Sequence, residues 1–417
     1  LKLVKRTTMA GPLAGLKVLD MSRILAGPWA GQLLSDLGAD VIKIERPRYG
    51  DDTRSWGPPY LQDREGNDTK DAAYFFCANR GKKSVTVDIT CLEGQEIIRQ
   101  LARQSDGVIE NYKVGGRANY GLDYHSLSKI NPKLIYCSIT GFGQTGPYAN
   151  LPGYDFLIQG MGGLMSVTGE PDDPKKEIGG PTKVGVAVTD LFTGLYASNA
   201  IQAALIERQN SGLGQYIDLA LLDVQAATLA NQASNYLVGG LVPERLGNAH
   251  PNIVPYQAFS TSDGHIIIAV GNDQQFIRLC DALEQSDLAN DERFLTNGAR
   301  VNNRKHLCDI IHQNLKLHGS AHWLEKLKQC SVPCGPINTI DQVFRDPQVL
   351  ARGMVISASE SRSGEVKMVA SPINYSRSKS DDIKAPQQLG ESTDKILMDY
   401  LEYSSLKIDS LRERFII

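Results

Sequence analysis

Asp190 is the residue whose type and position best suit nucleophilic chemistry in this sequence. It follows a short alternating apolar run, Val184, Val186 and Val188, and precedes a long apolar, Ala-rich stretch. This pattern predicts a helix with Thr189 or Asp190 at its cap. A carboxylate in the first turn of a buried helix lies near the positive end of the helix dipole and close to unpaired N–H groups. We therefore expect Asp190 to be ionised and nucleophilic at neutral pH without a general base; an ordinary N-cap is the alternative.

Other polar candidates lie in loops. Arg46 and Arg54 belong to a loop after a predicted strand, where basic residues suit the phosphates of a nucleotide-like ligand or are simply solvated. Tyr154 and Asp155 open a short helix of small residues, in which Asp155 can serve as the N-cap. His250 lies in the loop NAHPNIVPY, whose Pro and Asn content suggests a surface that faces a ligand.

A glycine run directly follows the predicted strand that ends at Thr140, with Gly141, Gly143 and Gly146 in GxGxxG spacing. A dinucleotide site requires a helix to begin inside such a run, but Pro147 and a short polar stretch follow here. A tight loop at the sheet edge is therefore favoured over an NAD or FAD site. A third interpretation is that its N–H groups approach a ligand carbonyl closely and stabilise oxyanions.

Composition excludes several classes of protein. The 417 residues are 22% charged and 41% hydrophobic with a net charge of -3, so no electrostatic footprint for nucleic acid is expected. Seven cysteines without CxxC spacing, and histidines without an HExxH pattern, predict no metal site and indicate a reducing compartment. No apolar run is long enough to span a membrane. The basic, acid-free start, with Lys2, Lys5 and Arg6, fits either a mitochondrial presequence or an exposed terminus.

The elements that must position these residues alternate between strand and helix. LKVLDMS and ADVIKIE are predicted strands on either side of a helix that Pro28 opens and Gly38 closes, a βαβ unit that implies a parallel sheet. We expect residues 11–225 to form most of a large α/β domain. YQAFST and HIIIAV, joined by Ser262-Asp263-Gly264, predict a β-hairpin at the start of a smaller α+β domain with its linkers, residues 226–335.

A series of motifs occurs in one order along nearly the whole chain, from about Gly11 to Lys395: GLKVLDMSRILAGPWAGQLLSDLGADVIKIERP, GDDTRSWGPP, NRGKKSVTVDI, ENY, CSITGFGQTGPY, GYD, VTDLFTGLYA, GQYIDLALLD, VPCGPINTIDQVFRDPQV and LGESTDKIL. With these motifs the chain resembles the class III CoA-transferases, the formyl-CoA and carnitine CoA-transferase family. GNAHPNIVPYQAF, GNDQQF and CGPIN are most similar to a branch of the family that acts on glutarate and related dicarboxylic acids.

The resemblance implies a fold and an assembly. The large domain is expected to be Rossmann-like and built from both chain ends, with residues 336–417 completing it and the small domain inserted through two linkers. Two chains are expected to thread through each other as an interlocked homodimer. The substrates implied are CoA thioesters and small carboxylic acids, with no permanently bound cofactor.

The resemblance also assigns residues, position by position. Asp190 falls on the catalytic aspartate of the family, Arg46 on the arginine that holds a CoA phosphate, and Asn111 on a further CoA contact. The loop beside the adenine corresponds to Val87, Asp88, Ile89 and Thr90. For the remote carboxylate of a dicarboxylic acid, a cationic partner is needed, and Arg245 and His250 are our candidates.

Three positions depart from other branches of the family. Leu25, expected at the CoA site, stands where the formyl-CoA enzyme has a glutamine. Asn119 stands where that enzyme has an arginine. Both differences argue against formate as a substrate. Tyr154, expected with Asp155 near the substrate, stands where the racemase branch has a histidine. Without that second acid/base group, racemisation loses one of its two proton carriers.

We therefore expect CoA transfer from a dicarboxylyl-CoA such as succinyl-CoA to a free acid such as glutarate or hydroxymethylglutarate, through an aspartyl-CoA thioester on Asp190. The expected compartment is the mitochondrial matrix, or the cytoplasm if the protein is bacterial. A 2-methylacyl-CoA racemase, a dinucleotide oxidoreductase and a non-catalytic acyl-CoA binding protein are the alternatives.

Overall fold

A computed structural model describes residues 11–173, 175, 178–378 and 383–417. The basic start on which the presequence prediction depends lies outside these described residues. The chain forms two compact units: the first holds residues up to Gly163, Val184–Ala230 and Gln348–Ile417, and the second holds Leu164–Lys183 and Asn231–Pro347. Residues 164–183, expected in the large domain, thus group with the second unit, which also extends beyond the predicted limit at 335. Residues 168–183 are mostly polar, so no apolar periodicity indicates which core they join.

A six-stranded sheet forms the centre of the first unit, and all its strand pairs are parallel. Its strands are β1 (Lys17–Asp20), β2 (Asp40–Glu45), β5 (Lys83–Thr86), β6 (Gly107–Glu110), β7 (Ile135–Thr140) and β8 (Tyr216–Ala220). The spatial order β5-β2-β1-β6-β7-β8 reverses direction between β1 and β6. This is the doubly wound order of Rossmann folds, in which ligands bind outside the carboxyl ends of the strands at that reversal. The predicted parallel α/β fold is confirmed.

Helices cover both faces of this sheet. They are α1 (Ala26–Asp36), α2 (Ala73–Phe76), α3 (Leu92–Arg103), α4 (Tyr124–Ile130), α5 (Asp155–Met161), α7 (Val188–Ser211), α8 (Leu221–Thr228), α16 (Thr393–Leu401) and α17 (Ser405–Glu413). Successive residues of β1 point to opposite faces, so Val18 packs with α1 and α7 while Leu19 packs with α3, α16 and α17. The C-terminal helices therefore share a core with the first strands of the chain.

The polar stretch after β2 is ordered by buried ion pairs. It contains the antiparallel pair β3 (Tyr60–Gln62) and β4 (Asp68–Ala72). The Arg54 guanidinium donates two hydrogen bonds of 2.8 Å to the Glu45 carboxylate at the end of β2, and a third of 2.8 Å to Asp71. Nearby, the Lys43 ammonium lies 2.8 Å from a carboxylate oxygen of Asp51. These contacts fix the loop at the carboxyl edge of the sheet.

The second unit has its own core around a three-stranded antiparallel sheet, β11-β10-β9. The predicted hairpin is confirmed as β9 (Tyr256–Ser260) and β10 (His265–Ala269), with β11 (Cys334–Pro336) on the other side of β10. Phe259, Ile268 and Trp323 are part of this core. Its helices are α6 (Leu164–Val167), α9 (Ala230–Leu237), α10 (Asp273–Ala282), α11 (Asn297–Asn302), α12 (Arg304–Leu315), α13 (Ser320–Gln329) and α14 (Ile340–Val343). The chain then returns to the first unit at Gln348. There it forms the short α15 (Pro347–Ala351) and a hairpin of β12 (Val355–Glu360) and β13 (Gly364–Val369). Within the described residues, no helix combines the length and the apolar character that crossing a membrane requires.

Candidate active site

Asp190 occupies the third position of α7, a helix of 24 residues that begins at Val188 with Ala187 as its N-cap. The predicted helix is confirmed, but neither Thr189 nor Asp190 caps it. The Asp190 side chain is partly buried, and it has no hydrogen-bond partner among the residues that the structure describes. Asp190 thus lies in the first turn of the helix as predicted, but its carboxylate does not accept hydrogen bonds from the N–H groups of that turn.

Asp155 supplies the cap that the sequence assigned to α7 itself. Its Oδ1 accepts hydrogen bonds from the backbone N–H of Thr189 at 2.9 Å and from that of Asp190 at 3.3 Å. Its Oδ2 accepts a bond of 2.7 Å from Gln159 Nε2, and Gln159 Oε1 in turn accepts from the N–H of Val184 at 2.9 Å. Asp155 is the first residue of α5, so this network joins the start of α5 to the start of α7.

The Asp190 carboxyl is consequently not the strongly acidic group that its helix position suggested. Burial, together with the neighbouring negative charge of Asp155, raises the pKa of Asp190 to about 7. The helix N–H groups that would favour the charged form are bonded to Asp155 instead. The expectation of full ionisation at neutral pH is therefore wrong: the ionised and neutral forms coexist near pH 7.

Tyr74, in the short helix α2, belongs to the same electrostatic environment. Burial raises the pKa of its phenol to about 12, with contributions from Cys77 and then from the carboxylates of Asp190 and Asp155. Its ring packs edge-on against Trp56 with 5.3 Å between centroids. Sequence reasoning missed Tyr74 because a tyrosine in an apolar stretch, AAYFF, reads as an ordinary core residue.

A cavity of about 540 Å³ lies at the carboxyl edge of the sheet. Most of the predicted CoA-contacting residues line it, namely Arg46, Val87, Asp88, Ile89 and Thr90. They meet because β2 and β5 are parallel neighbours, so their carboxyl ends share one edge. The walls also include Tyr112 of the ENY motif, and Arg117, Tyr120 and Phe415, which lie outside the quoted motifs.

Asn111 and Leu25 are not among the residues that line this cavity. The Asn111 amide accepts from the N–H of Arg23 at 2.8 Å and donates to the carbonyl oxygen of Arg23 at 2.6 Å. Asn111 follows β6 and Arg23 follows β1. This pair of bonds therefore links the segments after these two neighbouring strands, at the point where the strand order reverses. Leu25 is buried as the N-cap residue of α1.

The glycine run is a loop and not a helix start. Residues 141–153 form turns and bends, which removes the geometry of a dinucleotide site. A Cβ on Gly141 would lie 2.5 Å from the Cα of Gly153, so glycine is required there by close backbone approach. The N–H groups of Gly143 and Gln144 donate to Thr140 Oγ1 and Asp218 Oδ2. These two N–H groups are thus already bonded and do not form the oxyanion site considered from the sequence.

The remaining substrate candidates are divided between the units. Tyr154, in the first unit, is the N-cap residue of α5 and is mostly exposed. Arg245, in the second unit, forms an ion pair with Asp172, while its Nε is buried without a hydrogen-bond partner. His250, also in the second unit, accepts a bond of 3.1 Å at Nδ1 from the N–H of Asn252. Burial and then the charge of Arg304 lower the pKa of His250, which favours its neutral form. No group of three or more His, Cys, Asp or Glu side chains suited to a metal ion occurs in the described part of the chain.

Comparison with known proteins identifies the family. The model of CoA-transferase family III matches residues 13–393. The chain belongs to this family. The chain is similar to a succinate–glutarate CoA-transferase of Agrobacterium fabrum, 51% identical over 93% of this chain and 95% of that protein. A succinyl-CoA:glutarate CoA-transferase of Homo sapiens is 42% identical over 96% of this chain and 88% of that protein.

A solved structure has the same fold. A CaiB/BaiF family protein from Brucella suis superposes with a TM-score of 0.81 at 52% identity, covering 94% of this chain and all of that one (100%). Its match extends over both units of this family III member, so the parallel sheet at the centre of the first unit is shared with a solved relative.

Proposed function

We propose that this family III CoA-transferase moves CoA from a dicarboxylyl-CoA such as succinyl-CoA to a free dicarboxylic acid such as glutarate or hydroxymethylglutarate. The similar proteins of Agrobacterium fabrum and Homo sapiens are named for succinate or succinyl-CoA and glutarate. One observation supports the chemistry above all others: a carboxylate whose pKa is raised to about 7 stands in the first turn of α7, with the N–H groups of that turn bonded to another residue.

The proposed reaction begins at the Asp190 carboxylate. One of its oxygens attacks the thioester carbonyl, the C–S bond breaks, and a mixed anhydride and CoA thiolate result. The thiolate then attacks the aspartyl carbonyl, which releases succinate and leaves an aspartyl-CoA thioester. The acceptor acid repeats these two steps in reverse order, forms the new acyl-CoA and restores the carboxylate.

The raised pKa serves this sequence of steps. A more basic carboxylate is a better nucleophile, and only its ionised form can attack. A serine would need a general base for the same attack, whereas about half of the Asp190 population is ionised at a pH near its pKa of about 7. A carboxylate also leaves an anhydride more readily than an alkoxide leaves an ester. This suits an acylated intermediate that a second nucleophile must cleave.

CoA itself is proposed to occupy the cavity at the carboxyl edge of the sheet. Arg46 and the turn from Val87 to Thr90 line this cavity, and we propose that Arg46 binds a phosphate and that the turn borders the adenine. The N–H and hydroxyl of Thr90 donate to Asp88 Oδ1 at 2.9 and 2.7 Å, which holds this turn in one conformation. CoA thioesters enter as substrates, and no permanently bound cofactor is part of the proposed reaction.

We further propose that the protein is an interlocked homodimer. The outer side of α7 exposes Phe192, Leu195 and Tyr196 by 42 to 47%. α5 exposes Phe156 and Leu157 by 58 and 46%. A row of large apolar side chains on elements that carry the active site is typical of a surface covered by a partner. Light scattering after gel filtration should give twice the mass of one chain, and the mass of a single chain would refute the dimer.

For the compartment we propose the mitochondrial matrix in a eukaryotic cell and the cytoplasm in a bacterial one. Relatives of this chain come from both kinds of organism. Fractionation of cells that express the natural protein, followed by detection of the chain in each fraction, tests this assignment.

The reaction is tested by incubating the protein with succinyl-CoA and free glutarate and following glutaryl-CoA by mass spectrometry. Asp190→Asn should abolish the product. Asp223→Asn is the matched control, because Asp223 also occupies the third position of its helix, α8, and is exposed. Product from the native chain and from Asp223→Asn but not from Asp190→Asn supports both the reaction and the nucleophile. Equal product from all three proteins would refute the nucleophile, and no glutaryl-CoA from any of them would refute the proposed substrate pair.

A further inference from the structure

Arg117 is a buried cation with unsatisfied hydrogen-bond donors. It follows β6 in the chain, lines the cavity at the carboxyl edge, and is only 8% exposed. Its Nε and Nη1 are buried and have no hydrogen-bond partner among the described residues. Burial of an unpaired charge is strongly unfavourable. A guanidinium left in this state in a cavity wall indicates that an anionic ligand completes its surroundings.

Neighbouring side chains orient Arg117, but none of those described accepts a hydrogen bond from its Nε or Nη1. The guanidinium carbon lies 3.5 Å from the ring centroid of Tyr112 and 5.5 Å from that of Tyr120. Such cation–π contacts hold the guanidinium plane and leave its N–H edges available. The nearby Glu110 carboxylate interacts electrostatically with Arg117, but its oxygens accept hydrogen bonds from the Ser138 hydroxyl and the N–H of Tyr112.

The charges of the cavity also favour an anion. Three arginines line it, Arg46, Arg48 and Arg117, against two carboxylates, Glu45 and Asp88. Glu45 accepts two hydrogen bonds from Arg54, and Asp88 accepts those of its own turn, so both carboxylates are already bonded. The ligand that such a cavity suits carries several negative charges.

The walls add a second requirement, which is for a planar group. Tyr112, Tyr120 and Phe415 line the cavity together with the arginines. The Arg48 guanidinium lies 3.9 Å from the ring centroid of Phe415. Aromatic rings and guanidinium planes offer stacking surfaces for a base, and the remaining guanidinium N–H groups suit phosphates.

We propose that Arg117 is a second phosphate-binding residue of this cavity, which donates its unpartnered N–H groups to a phosphate of the CoA substrate. The inference rests on the proposed CoA-transferase function. The family resemblance places its arginine two positions later, at Asn119, which is exposed here. Arg117 thus supplies a cation to the cavity from a position that the family motif does not mark.

The test is isothermal titration of CoA, 3′-dephospho-CoA and pantetheine into the full-length protein and three variants. Arg117→Gln should weaken CoA binding about tenfold or more, because a charge-assisted hydrogen bond is lost. Arg117→Lys should lose less, since it keeps the charge but not the planar fork. Arg103→Gln, which removes an exposed arginine of α3, is the matched control and should bind as the native chain does. Pantetheine, which has no phosphate, should bind equally to all four proteins.

Kinetics provide a second readout. In Arg117→Gln the KM for succinyl-CoA should rise with the dissociation constant, while kcat and the KM for glutarate stay within about twofold. Equal CoA affinity of Arg117→Gln and the native chain would overturn the inference, as would an equal loss for pantetheine, which would indicate a structural role. If Arg117→Gln does not fold, Arg117→Lys decides by the same comparison. If the native chain binds no CoA, the proposed function as a whole is refuted. If CoA binds and its affinity does not change on substitution of Arg117, only the proposed role of Arg117 is refuted.

Discussion

The partial ionisation of Asp190 makes the rate of CoA transfer depend on pH close to neutrality. With a pKa of about 7, about a tenth of the carboxyl is ionised at pH 6 and about nine tenths at pH 8. Because only the carboxylate attacks, kcat/KM for succinyl-CoA should rise about tenfold between these values. An aspartate with an ordinary pKa would give a constant rate over the same range.

Asp155→Asn tests the electrostatic cause of this behaviour, although it also removes the hydrogen bond that Asp155 Oδ2 accepts from Gln159 Nε2. The substitution removes a negative charge but keeps an oxygen that can accept from the N–H groups of Thr189 and Asp190. Asp155 Oδ1 lies 3.3 Å from the backbone nitrogen of Asp190, and the charge of Asp155 is the second cause, after burial, of the raised pKa of Asp190; a neighbouring charge typically shifts a carboxyl pKa by about 1 to 3 units. Partial exposure reduces this value, so the midpoint of the rate profile should move about 1 to 2 pH units lower.

The assay is the initial rate of succinyl-CoA consumption with saturating glutarate, from pH 5 to pH 9, for the native chain and Asp155→Asn. At pH 6 the variant should reach a much larger share of its plateau rate than the native chain does. Its plateau should not rise, because a less basic carboxylate is a weaker nucleophile. Asp399→Asn removes an exposed charge on α16 and should keep the native midpoint. An unchanged midpoint in Asp155→Asn, with a melting temperature near that of the native chain, would refute the electrostatic reasoning.

Three further predictions concern stability and specificity. The folded-state pKa of Asp190 is above its unfolded value, so the stability that the protonated carboxyl contributes is lost as the pH rises towards 7. Asp190→Asn should therefore raise the free energy of unfolding by about 1 to 3 kcal/mol at pH 8 and by less at pH 5, as measured by urea unfolding at both values. Arg54→Gln leaves Glu45 buried without its partner and should cost about 3 kcal/mol in urea unfolding, whereas Arg99→Gln, at a more exposed pair, should cost under about 1 kcal/mol. Arg245→Ala should lower the rate with glutarate more than the rate with a monocarboxylic acid, and equal losses would remove Arg245 as the partner of the remote carboxylate.

The fold of the first unit could be predicted from the sequence because its signals are local. LKVLDMS and ADVIKIE are short segments rich in aliphatic residues, and Pro28 and Gly38 mark the ends of the helix between them. The hairpin of the second unit has an equally local signal in Ser262-Asp263-Gly264. The placement of residues 164–183 had none, because it is determined by tertiary contacts of a polar segment.

The candidate site divides in the same way. Arg46 and the turn from Val87 to Thr90 follow adjacent parallel strands, so the strand pattern alone brings them to one edge, where they line one cavity. Asn111 was assigned to CoA by its motif, yet its amide is bonded to the backbone of Arg23. A motif identifies which residue is present, but it does not show which of the neighbouring polar groups that residue contacts.

The pKa of Asp190 shows most clearly where local reasoning ends. The helix start was predicted to within about two residues, and a first-turn carboxylate alone would be acidic. Asp155, 35 residues earlier in the chain, reverses this result by bonding the N–H groups of the first turn and adding a second negative charge. Had Asp190 accepted those hydrogen bonds itself, its oxygens would be stabilised as a carboxylate and would be poor nucleophiles. Because Asp155 caps the helix, the carboxylate oxygens of Asp190 remain weakly stabilised. An attack on a thioester requires carboxylate oxygens in this state.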